Sequence, residues 1–168
     1  GGGGGGGVSN YSLTYTAGTG GTISGTASQS VNSGGNGSAV TAVPDTGYSF
    51  SSWSDSSTDN PRTDTNVRSN LSVTASFTIN TYTVTFDTNG GDGGSTATQT
   101  LNYNTPTALT ANGFTRTGYT FAGWNTESDG SGTDYTDEAS YTIGTSNVTL
   151  YAKWEAEPEP VTFVYNGA

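Results

Sequence analysis

The segment Thr46-Gly-Tyr-Ser-Phe-Ser-Ser-Trp53 returns about seventy residues later as Thr117-Gly-Tyr-Thr-Phe-Ala-Gly-Trp124, a shared Thr-Gly-Tyr-x-Phe-x-x-Trp pattern. Self-similarity at a fixed period outranks any single motif, because it sets the size of the folding unit. The same offset lays Leu13-Thr-Tyr-Thr16 on Val84-Thr-Phe-Asp87. The closing stretches Asn70-Leu-Ser-Val-Thr-Ala-Ser-Phe77 and Asn147-Val-Thr-Leu-Tyr-Ala-Lys-Trp154 align after a small insertion difference. Two copies of one module are expected.

The edges differ in kind from this doubled middle. Gly1 to Gly7 cannot bury apolar area to offset its backbone entropy. It is either real sequence that a neighbour must order or a stretch where glycine stands in for other residues. Glu155-Ala-Glu-Pro-Glu-Pro160 mixes like charges with prolines of fixed φ, which makes an extended, self-repelling spacer. Beyond it, Val161-Thr-Phe-Val-Tyr165 echoes Tyr82-Thr-Val-Thr-Phe86. The expected layout is a Gly-rich leader at 1–9, a first module at 10–79, a second at 80–155 and a Glu/Pro linker at 156–160. Residues 161–168 are the first strand of a further repeat or a donor strand, and the chain reads as a soluble fragment excised from a longer protein.

Within each module Val, Thr, Tyr and Phe alternate, as in Tyr82 to Phe86 and Val148 to Trp154, which fits strands with one packed and one wet face. Asn89-Gly-Gly-Asp-Gly-Gly94 and Asp129-Gly-Ser-Gly132 supply the positive φ that chain reversal needs. At most a short helical turn fits near Thr107 to Ala111 or Asp137 to Ser140. The fold class is therefore mainly β, a β-rich α+β with little helix. Core anchors are Trp53, Trp124, Trp154, Phe86, Phe121 and Leu150, with Tyr119 and Ala152 competing for the second core. Parity puts Leu150, Ala152 and Trp154 on one face and Tyr151 and Lys153 on the other.

Composition narrows function. With no His and no Cys, the Ser-His-Asp arrangement, thiolate nucleophiles and the usual transition-metal sites are out of reach. A net charge of -10, opposed only by Arg62, Arg68, Arg116 and Lys153, disfavours nucleic acid. No apolar run approaches the roughly twenty residues of a bilayer span. Carboxylate pairs could serve glycosidase chemistry, but modules this thin leave little room for a cleft, so no enzyme activity is expected.

Taken together, Thr83-Val-Thr-Phe-Asp-Thr-Asn-Gly-Gly91, Arg116-Thr-Gly-Tyr-Thr-Phe-Ala-Gly-Trp124 and Leu150-Tyr-Ala-Lys-Trp154 resemble the internalin B-repeat, or Listeria-Bacteroides repeat, family. The likeness spans nearly all of residues 81 to 154. Residues 11 to 78 resemble its divergent branch, with Ser51-Ser52 where the second module has Ala122-Gly123, and without the Asp and Asn of Asp87-Thr-Asn-Gly90. The resemblance implies tandem β-grasp-like modules of secreted or surface-anchored bacterial proteins, used as stalk, spacer or adhesion units. It brings no catalytic residues.

Three features remain as candidate binding chemistry. The acids Asp129, Asp134, Asp137 and Glu138, with Glu127, could offer oxygens to Ca2+, although they lack a regular ligand spacing and also read as a solvated turn. Asp55, Asp59 and Asp64 form a fainter parallel cluster. Tyr103, Tyr135, Tyr141 and Tyr151 are left over from the core as possible ligand platforms, with packing along the strand surface as the default. Asn-x-Ser/Thr patterns at Asn10, Asn36, Asn70 and Asn147 are expected by chance in so Ser/Thr-rich a chain.

Two functions stay open. In the first, the modules are an extracellular stalk or adhesin segment on a bacterial surface, meeting protein or glycan ligands, with the short Phe77-Thr-Ile-Asn-Thr-Tyr82 junction favouring a stiff pair. In the second, Val161, Phe163 and Tyr165 add as a strand to another copy and build a fibre. No resident cofactor is expected beyond the Ca2+ option.

Overall fold

The computed structural model describes residues 5–167; Gly1–Gly4, part of the glycine leader, and Ala168 lie outside them. The chain divides after Asn80 into two compact units. Among the described residues there is no helix.

The first unit contains β1 (Asn10–Ala17), β2 (Gly21–Ser24), β3 (Ser28–Asn32), β4 (Thr41–Pro44), β5 (Tyr48–Trp53) and β6 (Leu71–Ile79). Its main sheet has the order β3-β1-β6-β5, and β2 pairs with β4 in a separate ribbon. The second unit contains β7 (Thr81–Asp87), β8 (Gly93–Gly94), β9 (Gln99–Asn102), β10 (Thr107–Ala108) and β11 (Phe114–Thr115). It continues with β12 (Tyr119–Asn125), β13 (Asp134–Tyr135), β14 (Ser140–Tyr141) and β15 (Val148–Ala156). Here the sheet order is β13-β12-β15-β7-β9.

In both units the first and last strands lie side by side and parallel, β1 with β6 and β7 with β15, while every other pair in those sheets is antiparallel. A parallel pair demands a long connection, commonly helical. Here strands and turns alone make it. The short helical turn that the sequence at most allows near Thr107 or Asp137 is formed at neither place: Thr107–Ala108 is β10, and Asp137-Glu138 is a turn closed by the Ala139 N–H on the Thr136 carbonyl. Thr, Ser and Asp at these positions favour turns and extended chain over helix.

The repeated Phe-x-x-Trp spacing has a structural cause. In a regular strand, residues three apart face opposite sides. Both units place a β-bulge inside the motif, between Phe50 and Ser52 and between Phe121 and Gly123. The extra residue restores parity, so Phe and Trp enter the same core. Their rings are 5.8 Å apart in the first unit and 4.8 Å apart in the second.

Each unit closes its own interior. Leu13, Tyr15, Val40, Ala42, Trp53, Val73 and Ala75 form the first, with Phe50 and Phe77 packed against it. The second gathers Val84, Phe86, Leu101, Leu109, Trp124, Ile143, Leu150 and Ala152, with Phe121 and Trp154 against it. Tyr141 belongs to this core, not to the exposed tyrosines, and stacks edge-on with Tyr135 at 5.1 Å. Tyr119 stays outside it.

Candidate ligand cleft in the second unit

The turn after β7 begins as an Asx turn: the Asp87 carboxylate accepts the Asn89 N–H at 2.8 Å. Asn89 adopts a left-handed φ of 45°. That conformation sends its amide across the molecule, where it donates to the Ser128 carbonyl at 2.9 Å and the Ala152 carbonyl at 3.0 Å. One side chain therefore ties three segments together. Beside it, the Thr88 carbonyl accepts the Trp154 indole N–H at 2.9 Å. Gly90, at φ +94°, passes close under a guanidinium, since a Cβ there would lie 3.4 Å from Arg116 Nη1. Arg116 in turn stacks on Tyr119, 3.8 Å from the ring centre.

These contacts bring the three quoted motifs around one open cleft of about 250 Å³, lined by Asn89, Arg116, Ser128, Asp129, Lys153 and Trp154. Its charges are arranged unevenly. Lys153 donates to Asp134 at 2.7 Å, and that bond, with a second from the Asn125 amide, holds the Asp134 carboxyl below its usual range. Hydrogen bonds from Ser131 lower Asp129 in the same way. Arg116 has no carboxylate within ion-pair distance among the described residues.

The first unit fills the equivalent place. Pairing of Trp53 with Ala75 and of Trp124 with Ala152 aligns Ser76 with Lys153 and Phe77 with Trp154. The Tyr48 N–H bonds to the Asp45 carbonyl as the Tyr119 N–H does to that of Arg116, which sets Asp45 opposite Arg116. The Gly18 N–H donates to the Ala75 carbonyl at 2.8 Å, the backbone doing what the Asn89 amide does in the second unit. Tyr48 and Phe77 lie directly on the bare backbone of Gly20 and Gly21, where a Cβ would collide with the rings. The cationic and indole-lined cleft thus belongs to the second repeat.

The acids considered for Ca2+ are held apart. Asp134 serves Lys153 and Asn125, Asp129 caps the Ser131 N–H, and Asp137 accepts the Asn112 and Glu138 N–H groups. Among the described residues no three acidic side chains converge. In the first unit, Asp55 and Asp64 close on a guanidinium: Arg62 forks onto Asp55 at 2.7 and 2.9 Å and onto Asp64 at 2.9 Å through two nitrogens. Asp59 meets Trp53 Nε1 with its backbone carbonyl, at 2.8 Å, and not with its carboxylate. Of the core anchors, Trp53, Trp124 and Leu150 are fully buried, Phe86 is buried, and Phe121 and Trp154 are half-buried. Val161, Phe163 and Tyr165 lie in no strand and are 76%, 91% and 91% exposed.

Sequence reasoning missed Asn125, a fully buried amide that accepts the Glu127 and Gly132 N–H groups and so pins the loop after β12. It also missed Asn70 and Asn147, which stand at aligned positions and accept the Ser12 and Thr83 N–H groups at 2.9 and 2.8 Å. Their equivalence was visible in the alignment of the closing strands.

Comparison with known proteins agrees with this two-unit layout. The Listeria-Bacteroides repeat domain matches residues 82–153, and the Divergent InlB B-repeat domain matches residues 11–81. A putative Gly-rich membrane protein of Evansella cellulosilytica is 39% identical over 137 residues, which is 73% of this chain and 16% of that protein. Internalin H of Listeria monocytogenes is 34% identical over 128 residues, 71% of this chain and 21% of its own length. The chain therefore spans about a sixth to a fifth of these relatives. A solved chain holding Streptococcal High Identity Repeats in Tandem domains 3-4, from a cell surface protein, covers 89% of this chain and 98% of its own at 16% identity. The TM-score of that match is 0.32. By its matched motifs and its doubled, helix-free sheets, the chain belongs to the B-repeat family, as a divergent InlB B-repeat domain followed by a Listeria-Bacteroides repeat domain.

Proposed function

We propose that these repeats are a non-catalytic stalk and display segment of a bacterial cell-surface protein, lying outside the cell and presenting side chains to protein or glycan ligands. The observation that carries this reading is that each repeat closes a complete core around its own indole, Trp53 or Trp124. Such units can be strung in number without depending on a shared interior. Acidic, Thr-rich surfaces and the lack of Cys and Met suit an exposed, oxidising setting. The expected result in light scattering and electron microscopy is a monodisperse particle, both for the full chain and after truncation following Glu155.

A second reading is favoured by one observation. Val161, Phe163 and Tyr165 alternate along an unpaired, exposed segment, which is the pattern of a strand that completes another sheet. In that case the full chain forms fibres and the truncated chain does not. The same segment can instead open a further repeat, and then a chain extended through that repeat buries all three side chains.

A further inference from the structure

We infer that the Asn89–Arg116–Trp154 cleft of the second repeat binds a carboxylate-bearing sugar, a uronate or sialate unit of a glycan. This deepens the display reading and rests on it.

The argument begins with the guanidinium. Arg116 is stacked on Tyr119 at 3.8 Å, and no carboxylate within ion-pair distance neutralises it among the described residues. A planar fork held by an aromatic ring has lost its conformational freedom in advance, and its natural partner is a carboxylate taken in two parallel hydrogen bonds. The backbone at Gly90 stays bare beside it, at φ +94°. Trp154 lines the same cleft with its indole N–H already committed to Thr88, leaving the ring as an apolar platform of the kind a sugar ring covers. Across the cleft, Asp129 and the polar edges of Asn89 and Ser128 offer acceptors and a donor for hydroxyl groups.

Size limits the occupant. About 250 Å³ is below the usual range for a drug-sized ligand, so a single ring with its substituents is the unit accommodated. The net charge of -10 opposes an anion at long range, yet physiological salt screens fields beyond about 8 Å. Nearer than that, Arg116 stands against Asp129 on the cleft wall and Asp92, whose carboxyl feels the Arg116 charge. The two-bond fork rather than net local charge therefore selects the carboxylate. The first repeat carries Asp45, Ser76 and Phe77 at the places of Arg116, Lys153 and Trp154, so binding is assigned to the second repeat alone.

The test uses the full chain, 15N-labelled, titrated with glucuronate, N-acetylneuraminate, glucose and acetate. The reporters are the Trp154 Nε1–H signal and the Gly90, Arg116 and Ser128 amides. At least one of the two acidic sugars should give saturable shifts there, and which of them does so distinguishes the glycan sources. Glucose and acetate should bind about tenfold more weakly or worse, and Arg116→Gln should lose about tenfold or more, as expected for a lost charge-assisted pair. Equal binding of glucose, undiminished binding in Arg116→Gln, or no saturable shift with either acid would overturn the assignment. Should Arg116→Gln fail to fold, Arg116→Lys decides: it keeps the charge without the fork, and affinity equal to the parent's would refute a forked carboxylate. A blank titration leaves the stalk standing, because that is judged by scattering.

Discussion

The guanidinium carbon of Arg62 lies 5.5 Å from the centre of the Trp53 ring while its nitrogens hold both Asp55 and Asp64. Arg62 is 6% exposed, so its charge is largely out of water. A buried cation is tolerated only when its donors are used, and here all three guanidinium nitrogens are. Tyr15 adds its hydroxyl to Asp64 at 2.6 Å, linking the pair to β1. Arg62→Ala should destabilise the first unit by about 1.5–3 kcal/mol, because it removes charge-assisted hydrogen bonds and uncovers the indole, while Asp55 and Asp64, 38% and 21% exposed, recover part of their hydration. A urea titration followed at the Leu13 and Val73 amides measures this; a loss below about 1 kcal/mol would show the network to be ornamental.

The same network predicts a pH response. Hydrogen bonds from Arg62 hold Asp64 and Asp55 below the ordinary carboxyl range, outweighing the desolvation that opposes this. Because the folded values are the lowered ones, the stabilisation is complete above the unfolded value of about 4 and disappears as pH falls through the folded values. At the alkaline end Tyr15 behaves oppositely: burial first, then its bond to Asp64, raises the phenol, so its contribution is lost as pH climbs above about 10. Thermal melts should show the first unit weakening below about pH 4, with a shallower acid limb in Asp64→Asn. An unchanged limb in that variant would remove Asp64 from the account.

The two equivalent indoles differ at one atom. Trp53 donates Nε1–H to the Asp59 carbonyl at 2.8 Å, whereas Trp124 Nε1 is buried with no hydrogen-bond partner. Phe86, Phe114 and Phe121 surround Trp124 at 4.7, 6.1 and 4.8 Å between ring centres. Replacement of either Trp by Ala should cost about 3–5 kcal/mol. Replacement by Phe should separate them: Trp53→Phe gives up its bond to the carbonyl of exposed Asp59, a loss of about 0.5–1.5 kcal/mol, while Trp124→Phe removes an unpaired donor. Equal losses for the two Phe variants in chemical denaturation would contradict this.

Much of this is legible in the sequence, and the rest is hidden for physical reasons. Leu150, Ala152 and Trp154 could be placed because β15 alternates over nine residues. Tyr141 could not, because β14 is two residues long and carries no period to read, and neither could Ile143, which is buried in the irregular stretch that follows β14. Phe-x-x-Trp broke the alternation openly, but the bulge that reconciles it shows only when Phe121 and Trp124 are seen on one core. Asp55 and Asp64 looked like metal ligands because sequence hides the side chain between them. The cleft was out of reach for a related reason: Asn89 meets Ser128 and Ala152 across separations of 39 and 63 positions.

Asn70 and Asn147 invite a direct check. Each accepts the backbone N–H of the neighbouring first strand, at 2.9 and 2.8 Å, and so sets where the parallel pair begins. Both bonds are exposed to solvent, which limits their worth to about 0.5–1.5 kcal/mol apiece. Asn→Ala at either position should lower the midpoint of its own unit by that amount, while Asn→Asp, which keeps an acceptor, should lose less. Faster hydrogen exchange at Ser12 or Thr83 in the Ala variants identifies the bond as the cause; unaltered exchange would reject it.

The divergence of Ser51-Ser52 from Ala122-Gly123 follows from what lies across the bulge. Gly123 sits at φ +122°, and a Cβ there would come 2.6 Å from the Tyr135 carbonyl of β13. That edge strand pairs with β12 at Trp124 and Asn125, pressing its backbone onto the bulge. In the first unit β5 is the edge of the sheet, with no strand beyond it among the described residues, and Ser52 is not among the positive-φ positions. Glycine is thus required where a further strand closes in, and a side chain is tolerated where none does. Gly123→Ser should cost roughly 2 kcal/mol or more through the combined collision and left-handed strain, whereas Ser52→Gly should cost under about 1 kcal/mol from added unfolded-chain entropy. Comparable losses for the two exchanges in denaturant titrations would mean that β13 does not select the glycine.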